Sequence, residues 1–318
     1  MLQLFKITFA VLLLTAIGYA QPVKEHGQLG VKGTQLVDRN GEHVMLRGMS
    51  FGWHNFWPRF YNKQAVQWLK DDWNVNVVRA AMGVDADDKC YNSSPKDSKA
   101  KIKTVVDGAI ESGIYVIIDF HSHNINLKEA KTFFDEMSKE YGDTPNVIYE
   151  VFNEPNDESW ADVKAYSEEV IKVIRKNDPN NIILVGCPHW DQDINLPAED
   201  PIIGFDNLMY TVHFYAATHG KYLRDRTDAA LAKGLPVFIS ESAGMEATGD
   251  GPLDEAEWDN WVNWMEDRGL SWITWSVSDK DETCSVLKKS AKSIGNWKDK
   301  DIKESGLKTR AYLRKLNK

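Results

Sequence analysis

The chain has 318 residues, 42% hydrophobic and 27% charged, a balance that excludes a disordered or fibrous polymer. Its 38 Lys and Arg against 47 Asp and Glu give a net charge of −9, which excludes a nucleic-acid partner, because a phosphate backbone is met by a basic face. Twelve Trp exceed ordinary usage, and part of that excess is expected at the surface, stacking on a flat partner such as a sugar ring.

Residues 1–20 place a single Lys6 before the apolar run Ile7 to Ile17, and Gly18-Tyr19-Ala20 sets small residues at the −3 and −1 positions of a cleavage point after Ala20. That is the pattern of a secretory signal peptide, too short to span a bilayer. The expectation is a secreted, extracellular protein, and no later stretch is apolar enough for a membrane anchor. Cys90, Cys187 and Cys284 match no metal spacing, and an odd number leaves at least one thiol free without saying which. Asn92-Ser93-Ser94 has the form of a glycosylation acceptor.

The ordered pattern starts near residue 31. Val31 to Val37 and His43 to Leu46 flank Asn40-Gly41, a hairpin-turn signal, so the front reads as a small β-hairpin cap. Short apolar, β-branched runs follow at Met45–Ser50, Val75–Ala80, Tyr115–Phe120, Val147–Phe152, Ile182–Val185, Leu208–Phe214, Val237–Ser240 and Trp272–Ser276. Helical periods lie between them at Lys63–Trp73, Ser98–Ser112, Lys128–Tyr141, Ala161–Lys176, Arg224–Lys233 and Glu255–Arg268, with Gly306–Leu316 closing the chain. The stretch between Ile182–Val185 and Leu208 has the least helical character. Strands buried on both faces and joined by crossover helices make a parallel sheet. A doubly wound open sheet should show a glycine-rich phosphate turn after its first strand, and Gly48-Met49-Ser50-Phe51-Gly52 does not fit one. The expected architecture is therefore an α/β fold, a single (β/α)8 TIM barrel over residues 21–318 with the hairpin as its cap.

A barrel of this kind carries its chemistry where strands run into their following loops. The strand ends read Val78-Arg79, Asp119-Phe120-His121-Ser122-His123, Phe152-Asn153-Glu154-Pro155, His213-Phe214-Tyr215, Ser240-Glu241 and Thr274-Trp275. Glu154 and Glu241 stand out. Two carboxylates about 5–5.5 Å apart suit retaining glycoside hydrolysis, one as acid/base and one as nucleophile, provided their surroundings hold one protonated and one ionised. Arg79 is expected beside Glu241, keeping it ionised, and Asn153 to hold a sugar 2-hydroxyl. His121 is expected to bond substrate or the glutamate pair. His121-Ser122-His123 also allows a metal reading, with His213 and Asp279 as further ligands, but Arg79 would repel the cation, so neither metal nor cofactor is expected. Trp258, Trp261 and Trp264 recur every three residues on one helix, a packing face. Phe56, Trp57, Trp190 and Trp275 fall in loops or strand ends where an aromatic ring can stack on sugar.

The segments Arg47 to Ser50, Asn76 to Met82, Tyr115 to His121, Pro145 to Pro155, Met209 to His219 and Trp275 to Thr283 together resemble glycoside hydrolase family 5 endoglucanases, in order and spacing over residues 27–316. The resemblance implies retaining hydrolysis of β-1,4-glucan, with Glu154 as acid/base and Glu241 as nucleophile. It implies Arg79, His121, Asn153, His213 and Tyr215 as the supporting set, and Trp275 as the stacking residue. Lys280 and Glu282 match positions that hold a glucose on the non-reducing side. Trp190, Gln192 and Asp193 match the family's Trp-Ser-Gln-Asp loop, and His219 is a weaker match. The sequence departs from the family wording at Ser240-Glu241-Ser242-Ala243-Gly244, where an aromatic usually follows the nucleophile, and at Gly52 and Gly83, where the family often has His and Tyr.

The partner expected is a β-1,4-glucan polysaccharide or oligosaccharide, bound by a monomer. Xyloglucan, mixed-linkage glucan and mannan stay open as substrates. A silent carbohydrate-binding barrel is the alternative of another class, though it would have no use for matched carboxylates. With the chain ending at Lys318 and no linker or second aromatic-rich module in it, soluble or swollen glucan is expected to be cut faster than crystalline cellulose.

Overall fold

The computed structural model describes residues 21–317, so the leader expected over 1–20 lies outside the described residues. Two short strands, β1 (Gly30–Lys32) and β2 (Gln35–Val37), pair antiparallel as a hairpin. The barrel strands follow: β3 (Arg47–Phe51), β4 (Val77–Gly83), β5 (Tyr115–His121), β6 (Val147–Glu150), β7 (Ile183–Val185), β8 (Leu208–Tyr215), β9 (Val237–Ala243) and β10 (Trp272–Val277). They pair in parallel in chain order, and β10 closes on β3.

The two-residue period of a strand explains what the barrel holds. The lower interior is apolar: Val77, Tyr115, Ile117, Ile148, Leu184, Met209, Phe238 and Ile273 form one cluster. Leu29, Leu36, Val44 and Leu46 join that cluster, so the hairpin and the segment after it plug the bottom of the barrel. Continuing each strand upward by two residues replaces apolar side chains with Arg79, Asp119, Glu150, Thr211, Ser240 and Trp275. The larger core lies outside, between sheet and helices, and contains Trp73, Phe133, Tyr166, Trp258 and Trp261.

Helix ends follow local capping chemistry. Asn62, Ser159 and Asp254 accept from the backbone N–H three residues on, and start the helices Lys63–Trp73, Trp160–Asn177 and Glu255–Arg268. The helix expected from Ser98 begins at Pro95, a residue suited to the first helical position because its missing N–H is not needed there. Trp258, Trp261 and Trp264 are all buried, as their spacing implied.

Several boundaries differ from the sequence expectation. The hairpin turns at Gly33-Thr34, where Gly33 has φ +61°, rather than at Asn40-Gly41. The chain does turn again at Asn40-Gly41, closed by backbone bonds from Gly41 N–H to Asp38 O and from Asp38 N–H to Glu42 O. Asp38 Oδ1 also accepts from the N–H groups of Asn40 and Glu42 at 2.7 and 3.1 Å, and the arms meet at the isolated antiparallel bridge Val37–His43 rather than in a longer ladder. The first barrel strand begins at Arg47, not Met45. Strands β4, β8 and β9 run one to three residues past their apolar runs. All three cysteines are buried and free.

Candidate active site

Arg79 organises the upper barrel. Fully buried on β4, it donates from Nε to Glu150 Oε2 at 2.6 Å, from Nη1 to Glu241 Oε2 at 3.1 Å, and from Nη2 to Asn153 Oδ1 at 2.5 Å. Asp119 Oδ2 lies 3.0 Å from the same Nη2. Burial alone would strip its charge, but Asp119, Glu150 and Glu241 hold the guanidinium firmly protonated. Burial opposes charge on Glu150 too, yet Arg79 outweighs it and holds that carboxyl at about 2.

Glu241 is fixed at both oxygens, because the Tyr215 hydroxyl donates to Oε1 at 2.6 Å while Arg79 holds Oε2. Strand register places His213 directly beside it. Nδ1 of His213 lies 2.8 Å from Glu154 Oε1, and its Nε2 lies 2.8 Å from Ser240 Oγ and 3.2 Å from Asp191 Oδ2. The other oxygen of Glu154 is 3.5 Å from His123 Nδ1. One carboxylate oxygen each from Glu154 and Glu241 and a ring nitrogen of His213 fall within 4.8 Å of one another. The glutamates therefore face each other across the barrel mouth, although 87 positions separate Glu154 from Glu241 along the chain.

Burial and the charge of Glu154 push Glu241 up, against His213 and Arg79. Burial also opposes charge on Glu154, but the hydrogen bond and charge of His213 outweigh it and hold Glu154 below the usual range. Two carboxylates this close titrate as a unit, so the first proton they take up is shared between them.

Trp275, 8% exposed, stacks on the His121 ring at 5.1 Å with an interplanar angle of 4°. Of the two partners expected for His121, substrate or the glutamate pair, the glutamates are not met: its Nδ1 lies 2.6 Å from Asp119 Oδ2. Burial and the Arg79 charge keep its imidazole neutral. Trp190 is 40% exposed, and its backbone N–H donates to Pro155 O, next to Glu154. Lys280 and Glu282 form an ion pair beyond Trp275. Trp57 is half-buried against the outer core, and Phe56 is the ring that faces solvent. His219 accepts the Tyr215 N–H at its Nδ1, so it steadies Tyr215.

The metal set offered by the sequence does not assemble. Asp279 pairs with Arg59 at 2.7 Å, and His121 and His213 are held by Asp119 and Glu154. Sequence reasoning placed Asp119 at a strand end without giving it a role, and missed Glu150, Asp191 and Trp53. Asp119 and Glu150 were legible: each puts a charge at an inward position of an otherwise apolar strand run, and a buried charge needs a partner. Trp53 packs edge-on to His121 at 4.4 Å, and no local pattern marked it.

A parallel barrel with facing carboxylates at its strand ends has the arrangement of a glycoside-cleaving enzyme. A family model described as cellulase (glycosyl hydrolase family 5) matches residues 37–281. The chain is 41% identical over 318 residues to an endoglucanase of Clostridium saccharobutylicum, covering 95% of this chain and 70% of that one. It is 45% identical over 284 residues to endoglucanase A of Evansella cellulosilytica, covering 86% of this chain and 57% of that longer protein. Among solved structures, one from Cytophaga hutchinsonii superposes with a TM-score of 0.91 at 43% identity, covering 93% of this chain and 97% of that one. The catalytic domain of Thermobifida fusca endoglucanase Cel5A, described in complex with cellotetraose, gives 0.87 at 32% identity, covering 93% and 100%. The chain belongs to the cellulase family of glycosyl hydrolases, family 5, and is a glycoside hydrolase.

Proposed function

We propose that the protein is a secreted endo-β-1,4-glucanase that cleaves internal bonds of cellulose and related β-glucans with retention of configuration. The approach of Glu154 and Glu241 within 4.8 Å carries this reading, since an inverting pair needs about 6.5–9.5 Å to admit a water. Glu241, gripped at both oxygens, is the nucleophile. It attacks the anomeric carbon while Glu154 gives its proton to the departing glycosidic oxygen. Glu154 then takes a proton from the water that breaks the glycosyl–Glu241 ester.

The charge distribution has to place the shared proton on Glu154 at the first step. Glu154 is the more open of the two, its side chain 12% exposed against 5% for Glu241. A sugar filling the cleft therefore desolvates Glu154 more and moves the proton onto it. Asn153 gives its Oδ1 to Arg79, and its buried Nδ2 has no protein partner, which suits a donor to the 2-hydroxyl. Trp275 would floor the sugar beside the cleavage point, Lys280 and Glu282 would meet the next glucose, and Trp190 would meet the departing chain. The signal-like residues 1–20 support secretion.

Reducing-sugar release from carboxymethylcellulose, xyloglucan, lichenan and mannan in parallel tests the substrate. Strong release from carboxymethylcellulose and lichenan is expected, and release from mannan alone would overturn the reading. Proton NMR of the first product should show the β-anomer, and an α-anomer would exclude retention. N-terminal sequencing of protein recovered from culture medium should begin at Gln21.

A further inference from the structure

Asp191 is a fully buried carboxylate that the hydrolytic scheme above does not use. The turn that carries it is costly: His189, Trp190 and Asp191 have φ of 60°, 52° and 59°, three consecutive non-glycine residues in the left-handed region. That backbone aims the carboxylate inward. Oδ1 accepts from Cys187 N–H at 2.6 Å, and Oδ2 accepts from Thr211 Oγ1 at 2.7 Å. Oδ2 also lies 3.2 Å from Nε2 of His213, whose Nδ1 meets Glu154.

We propose that Asp191 is a positioning residue that keeps His213 doubly protonated, so that Nδ1–H always donates to Glu154 Oε1 and the transferable proton of Glu154 sits on Oε2. The reason lies in what a neutral ring would do. With Nε2–H turned to Asp191 or Ser240, a neutral His213 offers a lone pair at Nδ1. A protonated Glu154 would then donate into the ring and hold its proton away from the glycosidic oxygen. An imidazolium cannot accept. Its charge favours ionised Glu154 before sugar binds, but once a bound sugar has moved the shared proton onto Glu154, that proton stays free for transfer.

The surroundings of the ring favour the charged form. Asp191 faces Nε2 from the turn after β7, and Glu150 Oε1 lies 3.8 Å away on β6, buried with no hydrogen-bond partner. Glu154 on the β6 loop, Glu241 on β9 and Asp119 on β5 add to the negative set. Against them stand Arg79 on β4, already bonded to Glu150 and Glu241, and the neighbouring His121, His123 and His219. Burial opposes protonation of His213, but the charge of Asp191 leads the influences that raise it well above the usual value. Asp191 is itself pushed up by burial, with His213, Thr211 and the Cys187 N–H opposing that shift.

The inference rests on Glu154 being the acid, and its test has one arm independent of that role. In protein labelled with ¹⁵N-histidine, with His213→Gln identifying the resonances, both ring nitrogens of His213 should stay protonated from about pH 5 to pH 8, through the ordinary histidine midpoint near 6.5. In Asp191→Asn, and in Asp191→Ser, the ring should titrate within that range. Relative to the parent, kcat/KM of both variants should fall about tenfold or more as pH rises across it, and recover at the acid end. A neutral His213 at pH 7 in the parent overturns the proposal even if neither variant folds. So does a variant whose His213 titrates as in the parent. Failure of Glu154 as the acid would show in the kinetics and leave the NMR result standing.

Discussion

The Tyr215 hydroxyl donates to Glu241 Oε1 across 2.6 Å, so the carboxylate proposed as nucleophile is oriented by a phenol that burial and Glu241's charge keep protonated. A hydrogen bond to a charged group contributes about 1.5–3 kcal/mol. Tyr215→Phe should therefore lower kcat/KM about 10–100-fold with little change in thermal stability. Unchanged kinetics on cello-oligosaccharides would remove Tyr215 from the mechanism.

Glu154→Gln and Glu241→Gln should each cut turnover on polymer about 10²–10⁴-fold while circular dichroism stays native. Added azide separates their roles. It should rescue Glu154→Gln on an activated aryl glycoside, giving a β-glycosyl azide, whereas any azide product of Glu241→Gln should be the α-anomer. The reverse pattern would exchange the two assignments.

The same variant tests the coupling between the carboxylates. The charge of Glu154 helps raise Glu241, so removing it lets Glu241 ionise more easily. The acid limb of kcat/KM for Glu154→Gln on an activated substrate should move to lower pH than in the parent. A limb that stays in place, or moves up, would show that the two groups do not interact as their separation requires.

Trp275→Ala should weaken binding of the sugar beside the cleavage point. A stacked ring contributes about 1–3 kcal/mol by analogy with base–aromatic stacking. Cellotriose and cellotetraose should suffer most, having few other contacts to compensate. A Trp275→Ala enzyme with the parent's kcat/KM on cellotriose and cellotetraose would place Trp275 outside the sugar path.

Stability should fall in mild acid for an identifiable reason. Burial holds His54 and His219 at about 4, and each accepts a backbone N–H at Nδ1, from Gly83 and Tyr215, so the fold binds them neutral. Unfolded, they take up protons near the usual 6.5, so their contribution is whole above that pH and is lost as pH falls toward about 4. Tm should drop across this window. His54→Asn should show a shallower drop than the parent, and an equal slope would mean the transition belongs to other groups.

Local period and position along a strand carry much of this molecule's plan. Short β-branched runs alternating with amphipathic helices required a parallel barrel. Once that was set, the residue ending each apolar run had to face the mouth, which located Arg79, Glu154, His213, Glu241 and Trp275. The alternation inside β5 and β6 held Asp119 and Glu150 in plain view as inward charges. Only the tertiary structure decided which of these groups touch. Arg79 meets Glu150 and Glu241 from positions 71 and 162 residues away. Asp191 reaches His213 only because three left-handed residues turn it inward. Such pairings follow from barrel closure and strand register, which bring distant strand ends within hydrogen-bond distance, whereas a strand's own pattern specifies only which face each side chain takes.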